Sequence, residues 1–175
     1  MNYQQLVDEQ ANAMGVSSLP VETESTGNAA TDLKRIFINP DFASQIHTTA
    51  GINGIRFVLA HELGHARAPG GAAATHDGEL AADRWAAQSI ARIGIGLSPA
   101  EAVMRSLHPH ATETHPGSDT RMGAVQVAWE GESRVEAPKL PRSRPRHRID
   151  KPRARDGEGR RRVSPRERDP QPRRR

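Results

Sequence analysis

The segment from Val58 to His65 reads Val-Leu-Ala-His-Glu-Leu-Gly-His, and it constrains the chain more than any other feature. His61 and His65 stand four residues apart, a spacing that on a helix places both imidazoles on one face. The apolar residues around them are Ile55, Phe57, Leu59, Ala60 and Leu63. Ionisable groups are costly in such surroundings unless something binds them. The pattern H-E-x-x-H therefore predicts a largely buried helix whose two histidines hold a metal ion, expected to be zinc, with Glu62 as general base.

Two histidines leave zinc short of the three protein ligands that a catalytic site usually has. The extended motif H-E-x-x-H-x-x-G-x-x-H does not fit, because Ala68 and Gly71 stand where its glycine and third histidine would be. His76 is one candidate for the third ligand. Glu79 is the better one, since it opens an alanine-rich segment that is typical of a helix. Asp83 follows it by four residues, so one carboxylate is expected to bind the metal and the other to accept the second N–H of a ligand histidine. The alternative is an ordinary solvated acidic face.

These residues, together with two further elements, resemble the gluzincin family of metallopeptidases that includes the CAAX prenyl protease, the heat-shock protease HtpX and the Oma-type protease. In that family H-E-x-x-H is followed by an E-x-x-x-D helix and by a later Thr-His-Pro element with an arginine. An upstream edge strand ends in Asn-Pro. The matching segments of this chain are 79–86, Thr114-His115-Pro116 with Arg121, and 35–40. The resemblance extends over about residues 20 to 130.

The resemblance implies a zincin-like peptidase fold in which His61, His65 and Glu79 are the zinc ligands. It implies Glu62 as the catalytic residue and Asp83 as the partner of a ligand histidine. The chain departs from the family in the short interval between His65 and Glu79, where membrane members insert whole hairpins, and in lacking a membrane span. The ImmA/IrrE-like peptidases, which also combine Ala-His-Glu-Leu-Gly-His with a nearby Glu-rich helix, are the second family that the chain resembles.

Several other residues are candidates for roles around the metal. His115 is the first candidate for the donor that stabilises an oxyanion, with His108 and His110 behind it, although each also reads as a plain loop histidine. Arg121 is expected to pair with an acidic residue rather than to contact substrate. The strand at 34–38 is expected to bind an extended peptide by strand addition.

Hydrophobic periodicity predicts a mostly helical α+β domain with a small sheet. Helices are expected over about 3–14, 54–67, 78–93, 98–107 and 118–129, with a short helical turn at 41–46. Strands are expected at 21–25 and 33–39. Asp77 and Ser118 are the expected N-caps of the helices that follow them.

The composition changes sharply near residue 135, which separates an expected peptidase domain, 1–135, from a tail, 136–175. The domain contains 9 Lys and Arg against 15 Asp and Glu, whereas the tail contains 16 against 6, so the net charge of +4 originates in the tail. The tail also holds 7 of the 13 prolines and few large apolar residues, which predicts disorder. Its arginine runs at 160–162 and 173–175 suit unspecific, salt-sensitive contact with nucleic acid or an acidic surface. A solubilising or tethering tail is the alternative.

The function that these observations favour is a zinc endopeptidase acting on a protein or peptide. One alternative is an inactive zinc-stabilised binding module, and another is an ImmA-like peptidase that cleaves a repressor, either of them tethered to nucleic acid or to a partner by the tail. The chain has no cysteine, which excludes disulfides and cysteine chemistry. No apolar stretch has the length of a membrane helix and no signal-peptide pattern is present, so the cytoplasm is the default expectation, with signal-independent export left open.

Overall fold

The observed elements follow the predicted pattern closely in the helices and less closely in the sheet. The computed structural model describes residues 1–25, 27–107 and 109–134, so the predicted tail and His108 lie outside the described residues. The described residues form α1 (Tyr3–Met14), β1 (Val21–Thr23), β2 (Ala29–Thr31), β3 (Ile36–Ile38), α2 (Pro40–Arg67), α3 (His76–Arg92), α4 (Ser98–Ser106) and α5 (Ser118–Ser133). The prediction of a mostly helical α+β fold with a small sheet is confirmed. None of these helices is both long and apolar enough to cross a membrane.

A break at Gly51 divides α2 into two helical segments. Gly51 has φ 67° and ψ −168°, a backbone conformation that glycine adopts readily because it has no Cβ. The first segment begins at Pro40, where the side chain of Asn39 accepts a hydrogen bond from the backbone N–H of Asp41. The second segment carries the H-E-x-x-H residues. The break explains why the sequence predicts a short helical turn and a separate helix in this region.

β3 is the central strand of the sheet, whose order is β1-β3-β2. β1 pairs with it in parallel, with Val21 opposite Ile36, and β2 pairs with it antiparallel, with Ala30 opposite Phe37. The expectation that the strand at 34–38 is an edge that binds a peptide is therefore wrong, because both of its sides are already paired. β2, which the sequence analysis did not predict, is an edge strand.

The core lies between the sheet and the second segment of α2. Ile36 and Ile38 of β3 are fully buried, whereas Phe37 alternates to the other face, where the Arg35 guanidinium lies 5.2 Å from its ring centroid. α1, α3 and α4 pack against α2, and α5 packs against α3. The largest fully buried apolar side chains are Phe57, Ile36, Ile38, Ile55, Leu59, Leu63, Ile90 and Met104.

α2 and α3 come into close contact at Gly64. A Cβ at this position would lie 3.0 Å from the Cα and the carbonyl oxygen of Ala82, and 3.3 Å from the Cβ of Trp85. Any side chain at Gly64 would therefore push the two helices apart. His61 and His65 lie on either side of Gly64, and two carboxylates of α3 lie on either side of Ala82. The contact between Gly64 and Ala82 therefore sets the separation of the two helices at the site described below.

α3 and α5 begin at other caps than those predicted. The N-cap of α3 is Thr75, whose hydroxyl accepts a hydrogen bond from the backbone N–H of Gly78 at 3.2 Å. Asp77 lies instead in the first turn, where its negative charge interacts favourably with the positive end of the helix dipole. The N-cap of α5 is Gly117, which has no side chain to form a cap, so the prediction that Ser118 caps this helix is also wrong.

Candidate metal centre

Two neighbouring helices bring together three side chains of the kinds that bind metal ions. α2 supplies His61 and His65, whose imidazoles leave the same helix face, and α3 supplies Glu79. The two histidine Nε2 atoms are 3.0 Å apart. Oε2 of Glu79 lies 3.5 Å from Nε2 of His61, and its Oε1 lies 3.4 Å from Nε2 of His65. Among the described residues, this group can hold a metal ion.

The spacing of the ligand atoms fits a tetrahedral ion. Zinc binds histidine nitrogen and carboxylate oxygen at about 2.0–2.1 Å, so tetrahedral geometry places neighbouring ligand atoms roughly 3.3 Å apart. The three separations of 3.0, 3.4 and 3.5 Å lie on either side of that value. In addition, Oε2 of Glu79 is buried and has no hydrogen bond of regular geometry with the described residues, since its contacts with Nη2 of Arg121 and Nε2 of His61 are both 3.5 Å long. A buried carboxylate oxygen with only such long contacts is stabilised further by a cation that lies closer.

Hydrogen bonds on the far side of each imidazole leave both Nε2 atoms available as ligands. Nδ1 of His61 lies 2.9 Å from Oδ1 of Asp83, and Nδ1 of His65 lies 2.7 Å from the carbonyl oxygen of Gly71. Both partners are acceptors, so in the neutral form of each ring the proton is on Nδ1 and Nε2 carries the lone pair that a metal ion needs. Without a metal ion, a proton on one Nε2 can bridge the 3.0 Å between these two atoms, and a metal ion would take the place of that proton. Ligand histidines held by an acceptor in this way are usual in metal sites.

Arg121 of α5 lies in a buried layer behind the ligands. Its Nε and Nη2 donate to the two carboxylate oxygens of Asp83 at 2.7 and 2.8 Å, and Nη2 lies 3.5 Å from Oε2 of Glu79. The expectation that Arg121 pairs with an acidic residue is confirmed. With Glu62, the site holds three buried carboxylates and one buried guanidinium. A divalent cation balances the excess of negative charge, provided that the histidines are neutral.

The electrostatics of the site favour positive charge at the ligand histidines. Burial by itself lowers the pKa of His61, but hydrogen bonds to Asp83 and Glu79 outweigh it and raise that pKa to about 10. Burial also lowers the pKa of His65, but the hydrogen bond to Glu79 outweighs this effect and raises that pKa. Burial also opposes ionisation of Glu79, yet the two histidines hold its pKa well below the usual range. These shifts stabilise a cation beside an anion, the charge pattern that a bound metal ion requires.

Glu62 lies beside the ligands without belonging to the three-ligand group. Its side chain is buried and forms part of the wall of two cavities that open at the cluster. Burial raises the pKa of the Glu62 carboxyl, and the nearby His61 and His65 only partly oppose this effect. A carboxylate with a raised pKa is a better proton acceptor than an ordinary one, which is what a general base needs.

The two cavities share part of their walls at the cluster and differ elsewhere. The shared wall consists of Ala29, His61, Glu62, Glu79 and His115. The first cavity, of about 300 Å³, is called the apolar cavity, because its further wall includes Phe42, Phe57, Val58, Val103, Met104 and Leu107. The second, of about 330 Å³, is called the alanine cavity, with Ala30, Thr31, Leu33, Ala72, Ala73 and Ala74 in its wall.

His115 lies at the exposed side of the cluster, in the loop between α4 and α5. Its Nε2 is 3.6 Å from Oε1 of Glu79, and its side chain is 55% exposed. The hydroxyl of Thr114 lies 2.7 Å from Nδ1 of His115. When that hydroxyl donates to Nδ1, the ring proton is on Nε2, which then faces the cluster as a donor. His110 lines the apolar cavity but is not part of the three-ligand group.

His76, the other candidate for the third ligand, does not join the cluster. It is the first residue of α3, and its Nε2 donates to the carbonyl oxygen of Thr112 at 2.8 Å. This hydrogen bond connects the start of α3 to the loop that carries His115. The position of His76 is therefore that of a residue that supports the loop.

The walls of the cavities were missed by the sequence analysis, for two different reasons. The apolar residues of α4 recur at helical steps, at Val103, Met104 and Leu107, and this signal marks a buried face that could have been found. β2 reads Ala-Ala-Thr, which has neither large apolar residues nor a clear alternation. The backbone carbonyl of Gly71 carries no side-chain signal at all.

Comparison with known proteins finds no significant match, whether to a protein-family model, to a curated protein or to a solved structure. The resemblance to gluzincin peptidases therefore depends on the motif residues alone.

Proposed function

We propose that this chain is a zinc-dependent endopeptidase with a zincin-like domain of the gluzincin type. The observation that carries the proposal is the convergence of His61, His65 and Glu79 on one point, beside the buried carboxylate of Glu62. That point opens into two cavities rather than being enclosed by protein. A site with three protein ligands and open space is typical of catalytic zinc, whereas structural zinc is usually closed by four protein ligands.

Zinc is the cation that two imidazoles and one carboxylate in tetrahedral spacing favour, although other divalent ions use similar ligands. When bound, such an ion lowers the pKa of a coordinated water to about 7 and polarises the carbonyl of a substrate. His61, His65 and Glu79 hold the ion in this proposal. Asp83 and the Gly71 carbonyl keep the two imidazoles oriented, at 2.9 and 2.7 Å from their Nδ1 atoms.

Glu62 acts as the general base in this proposal. It accepts a proton from the attacking water and later delivers it to the leaving amine, which a carboxylate with a raised pKa does more readily than an ordinary one. His115 donates from Nε2 to the developing oxyanion, supported by the hydroxyl of Thr114. An extended peptide pairs with the open edge of β2, the strand that takes the role first expected of 34–38.

Two other functions, an inactive zinc-stabilised module and an ImmA-like peptidase, have less support. An inactive zinc-stabilised module has no need of a buried carboxylate such as Glu62 beside the ligands, nor of two cavities at the ion. An ImmA-like peptidase that cleaves a repressor would use the same centre, so it differs in substrate rather than in chemistry. Contact of the basic tail, 136–175, with nucleic acid or an acidic surface, and residence in the cytoplasm, remain predictions from the sequence.

Glu62→Gln tests the proposal directly. This change keeps the size of the side chain and removes the base, so stoichiometric zinc should remain bound while cleavage falls by about 100-fold or more. Zinc content is measured by elemental analysis, and cleavage is measured on casein and on a mixed peptide pool, with and without a chelator. The matched control is Glu130→Gln on α5, a side chain that is 42% exposed and lines neither cavity, and this variant should cleave like the parent protein. Unchanged cleavage by Glu62→Gln, or a parent protein that binds no metal, contradicts the proposal.

A further inference from the structure

The loop between α4 and α5 presents His115 to the cluster on a closed turn, residues 112–115. The backbone N–H of Thr112 donates to the carbonyl oxygen of His115 at 2.8 Å, and the backbone N–H of His115 donates to the hydroxyl of Thr112 at 3.1 Å. The hydroxyl of Thr114 lies 2.7 Å from Nδ1 of His115. These contacts fix the shape of the 112–115 turn and the orientation of the imidazole. They do not fix the distance of the turn from the cluster, because all of them connect residues of the turn itself.

The base and the tip of this loop are held in different ways. At the base, Pro116 is buried, and a Cβ at Gly117 would lie 2.8 Å from the carbonyl oxygen of Pro109, so the two ends of the loop are closely packed. All four residues of the 112–115 turn are exposed, so burial of apolar surface contributes little to the position of the tip. Polar contacts with other elements therefore determine where the turn lies.

The first turn of α3 contacts the 112–115 turn at two points. Nε2 of His76 donates to the carbonyl oxygen of Thr112 at 2.8 Å, and Oε1 of Glu79 lies 3.6 Å from Nε2 of His115. His76 and Glu79 are three residues apart, so they are neighbours on one side of the helix. One helical turn thus carries both a member of the three-ligand group and the side chain that holds the 112–115 turn beside that group.

The first turn of α3 is itself closely held. The hydroxyl of Thr75 accepts a hydrogen bond from the backbone N–H of Gly78 at 3.2 Å, and its carbonyl oxygen accepts one from the backbone N–H of Glu79 at 3.0 Å. A Cβ at Gly78 would lie 1.9 Å from the carbonyl oxygen of Ala73, so the helix start packs against the preceding loop with no room for a side chain. His76 therefore projects from a backbone that neighbouring residues hold in place.

We infer that His76 is a positioning residue, whose hydrogen bond to the Thr112 carbonyl holds the 112–115 turn where Nε2 of His115 faces the cluster. The inference rests on the proposed peptidase function and adds to it a residue that belongs neither to the three-ligand group nor to the wall of either cavity. An oxyanion donor is effective only when it is already in place as the charge develops. Without the His76 hydrogen bond, the turn moves away from the cluster for part of the time, which lowers the rate without weakening metal binding.

Two substitutions of His76 separate its hydrogen bond from its size. His76→Phe keeps a ring and removes the donor, whereas His76→Gln retains an N–H donor at the end of the side chain. On fluorescein-labelled casein, His76→Phe should lower the apparent kcat by about tenfold and leave KM within about twofold, since one hydrogen bond shifts a loop equilibrium by roughly that factor at most. His76→Gln should restore kcat to within about threefold of the parent value. The control His47→Phe, at an exposed position of the first segment of α2, should cleave like the parent protein.

Zinc affinity, measured by chelator competition, should be unchanged in both His76 variants. A parent-like kcat in His76→Phe overturns the inference, as does an equal loss of kcat in His76→Phe and His76→Gln. Loss of zinc from His76→Phe also overturns it, because His76 would then act through Glu79 and not through the 112–115 turn.

A double-mutant cycle tests whether His76 acts through His115. In the His115→Ala background, His76→Phe should lower kcat by less than about twofold, because the donor that it positions is already absent. The same tenfold loss in both backgrounds would show that His76 acts independently of His115, which overturns the inference.

A distance measurement tests the position of the turn without requiring cleavage. The chain has no cysteine, so Glu113→Cys on the 112–115 turn and Asn12→Cys on α1, both at exposed positions, can carry the only two nitroxide labels. The distance distribution from pulsed electron resonance should widen in His76→Phe and return to the parent width in His76→Gln, and an unchanged width overturns the inference. If casein is not cleaved but the distribution widens, the peptidase proposal fails while positioning of the turn by His76 is supported. If casein is cleaved and His76→Phe changes neither kcat nor the distribution, only the inference about His76 fails.

Discussion

The helix side and the loop side of the metal centre are built in opposite ways. On the helix side, the buried carboxylates of Glu79 and Asp83 and the guanidinium of Arg121 contact one another or the ligand histidines, and each side chain is at most 9% exposed. On the loop side, His115 is 55% exposed and is held mainly by neighbouring residues of its own loop. Rigid helices thus position the side chains that could hold a metal ion, while the side that would admit a substrate in the proposed peptidase remains open.

Because the two sides are built differently, stability and activity should respond to mutations in separate places. Removing a charge from the helix side leaves its partner buried and uncompensated, which affects folding. Removing a group from the loop side exposes nothing new, so folding should hardly change. The predictions below test this separation, beginning with the largest expected effect.

Arg121→Leu should be the most destabilising change. It leaves Asp83 and Glu79 without their guanidinium, and breaking a buried ion pair in this way costs about 3–5 kcal/mol. Urea unfolding of parent and variant, both in chelator, measures the loss of unfolding free energy. Zinc should restore part of it, since a metal ion also neutralises Glu79. The control Arg105→Leu removes an exposed ion pair with Glu101 and should stay within about 1 kcal/mol of the parent. A similar loss in both variants would show that burial does not matter here.

His115→Ala should reverse the pattern by leaving stability intact. In the proposed peptidase, loss of one oxyanion donor should lower kcat by about 100- to 1,000-fold, whereas an exposed substitution changes unfolding free energy by no more than about 0.5 kcal/mol. Zinc affinity should also be unchanged, because His115 is not a ligand. His47→Ala, at an exposed position of the first segment of α2, is the matched control and should retain full activity. Loss of zinc from His115→Ala would instead show that His115 contributes to metal binding, as the residues of the helix side do.

Gly64→Ala should disturb both helices at once. The new Cβ would lie 3.0 Å from backbone atoms of Ala82, so α2 and α3 must separate, at a cost of about 1–3 kcal/mol. Because the ligands are divided between these helices, zinc affinity should fall together with stability. Gly123→Ala on α5, where an added Cβ meets nothing within 4 Å, should instead stabilise by about 0.5–1 kcal/mol. Zinc affinity is measured by chelator competition and unfolding free energy by urea unfolding. An unchanged zinc affinity in Gly64→Ala would show that the spacing of α2 and α3 does not determine metal binding.

The same contrast explains how far the sequence could predict this molecule. His61 and His65 lie together because helix geometry alone fixes residues four apart, and the juxtaposition of Glu79 needs only one further helix packed alongside. The order β1-β3-β2 depends on pairing between segments distant in sequence, so local patterns could not reveal that β3 is central. The position of the His115 loop is likewise set by tertiary contacts such as the hydrogen bond from His76. Local chemistry was therefore predictable, and its surroundings were not.

The affinity for zinc should rise with pH beyond the range expected of ordinary histidines. In the metal-free protein, hydrogen bonds to Asp83 and Glu79 raise the pKa of His61 to about 10. Both ring nitrogens are therefore protonated at neutral pH, and zinc must displace the proton on Nε2. Each displaced proton increases the affinity by about tenfold per pH unit, as long as the pH lies below that pKa. Chelator competition between pH 6.5 and about 8.5 should give a steady slope. Asp83→Asn should flatten the slope at lower pH, and a parent slope that is already flat at neutral pH would contradict the predicted proton displacement.

Leu33→Gly should give the smallest effect, and one with opposite signs for stability and binding. Leu33 has φ 69°, a left-handed conformation that costs a residue with a side chain about 1–2 kcal/mol. Glycine avoids this cost but loses about 0.5–1 kcal/mol through the freedom of the unfolded chain, so a net gain of up to about 1 kcal/mol in unfolding free energy is expected. Because Leu33 lines the alanine cavity, the variant should bind peptides severalfold more weakly. The control Lys34→Gly, in the same hairpin but with negative φ, should destabilise. If both effects are found, the backbone strain at Leu33 weakens folding but strengthens peptide binding. The strained residue would then lie on the open side of the centre, where activity is also expected to depend on single residues.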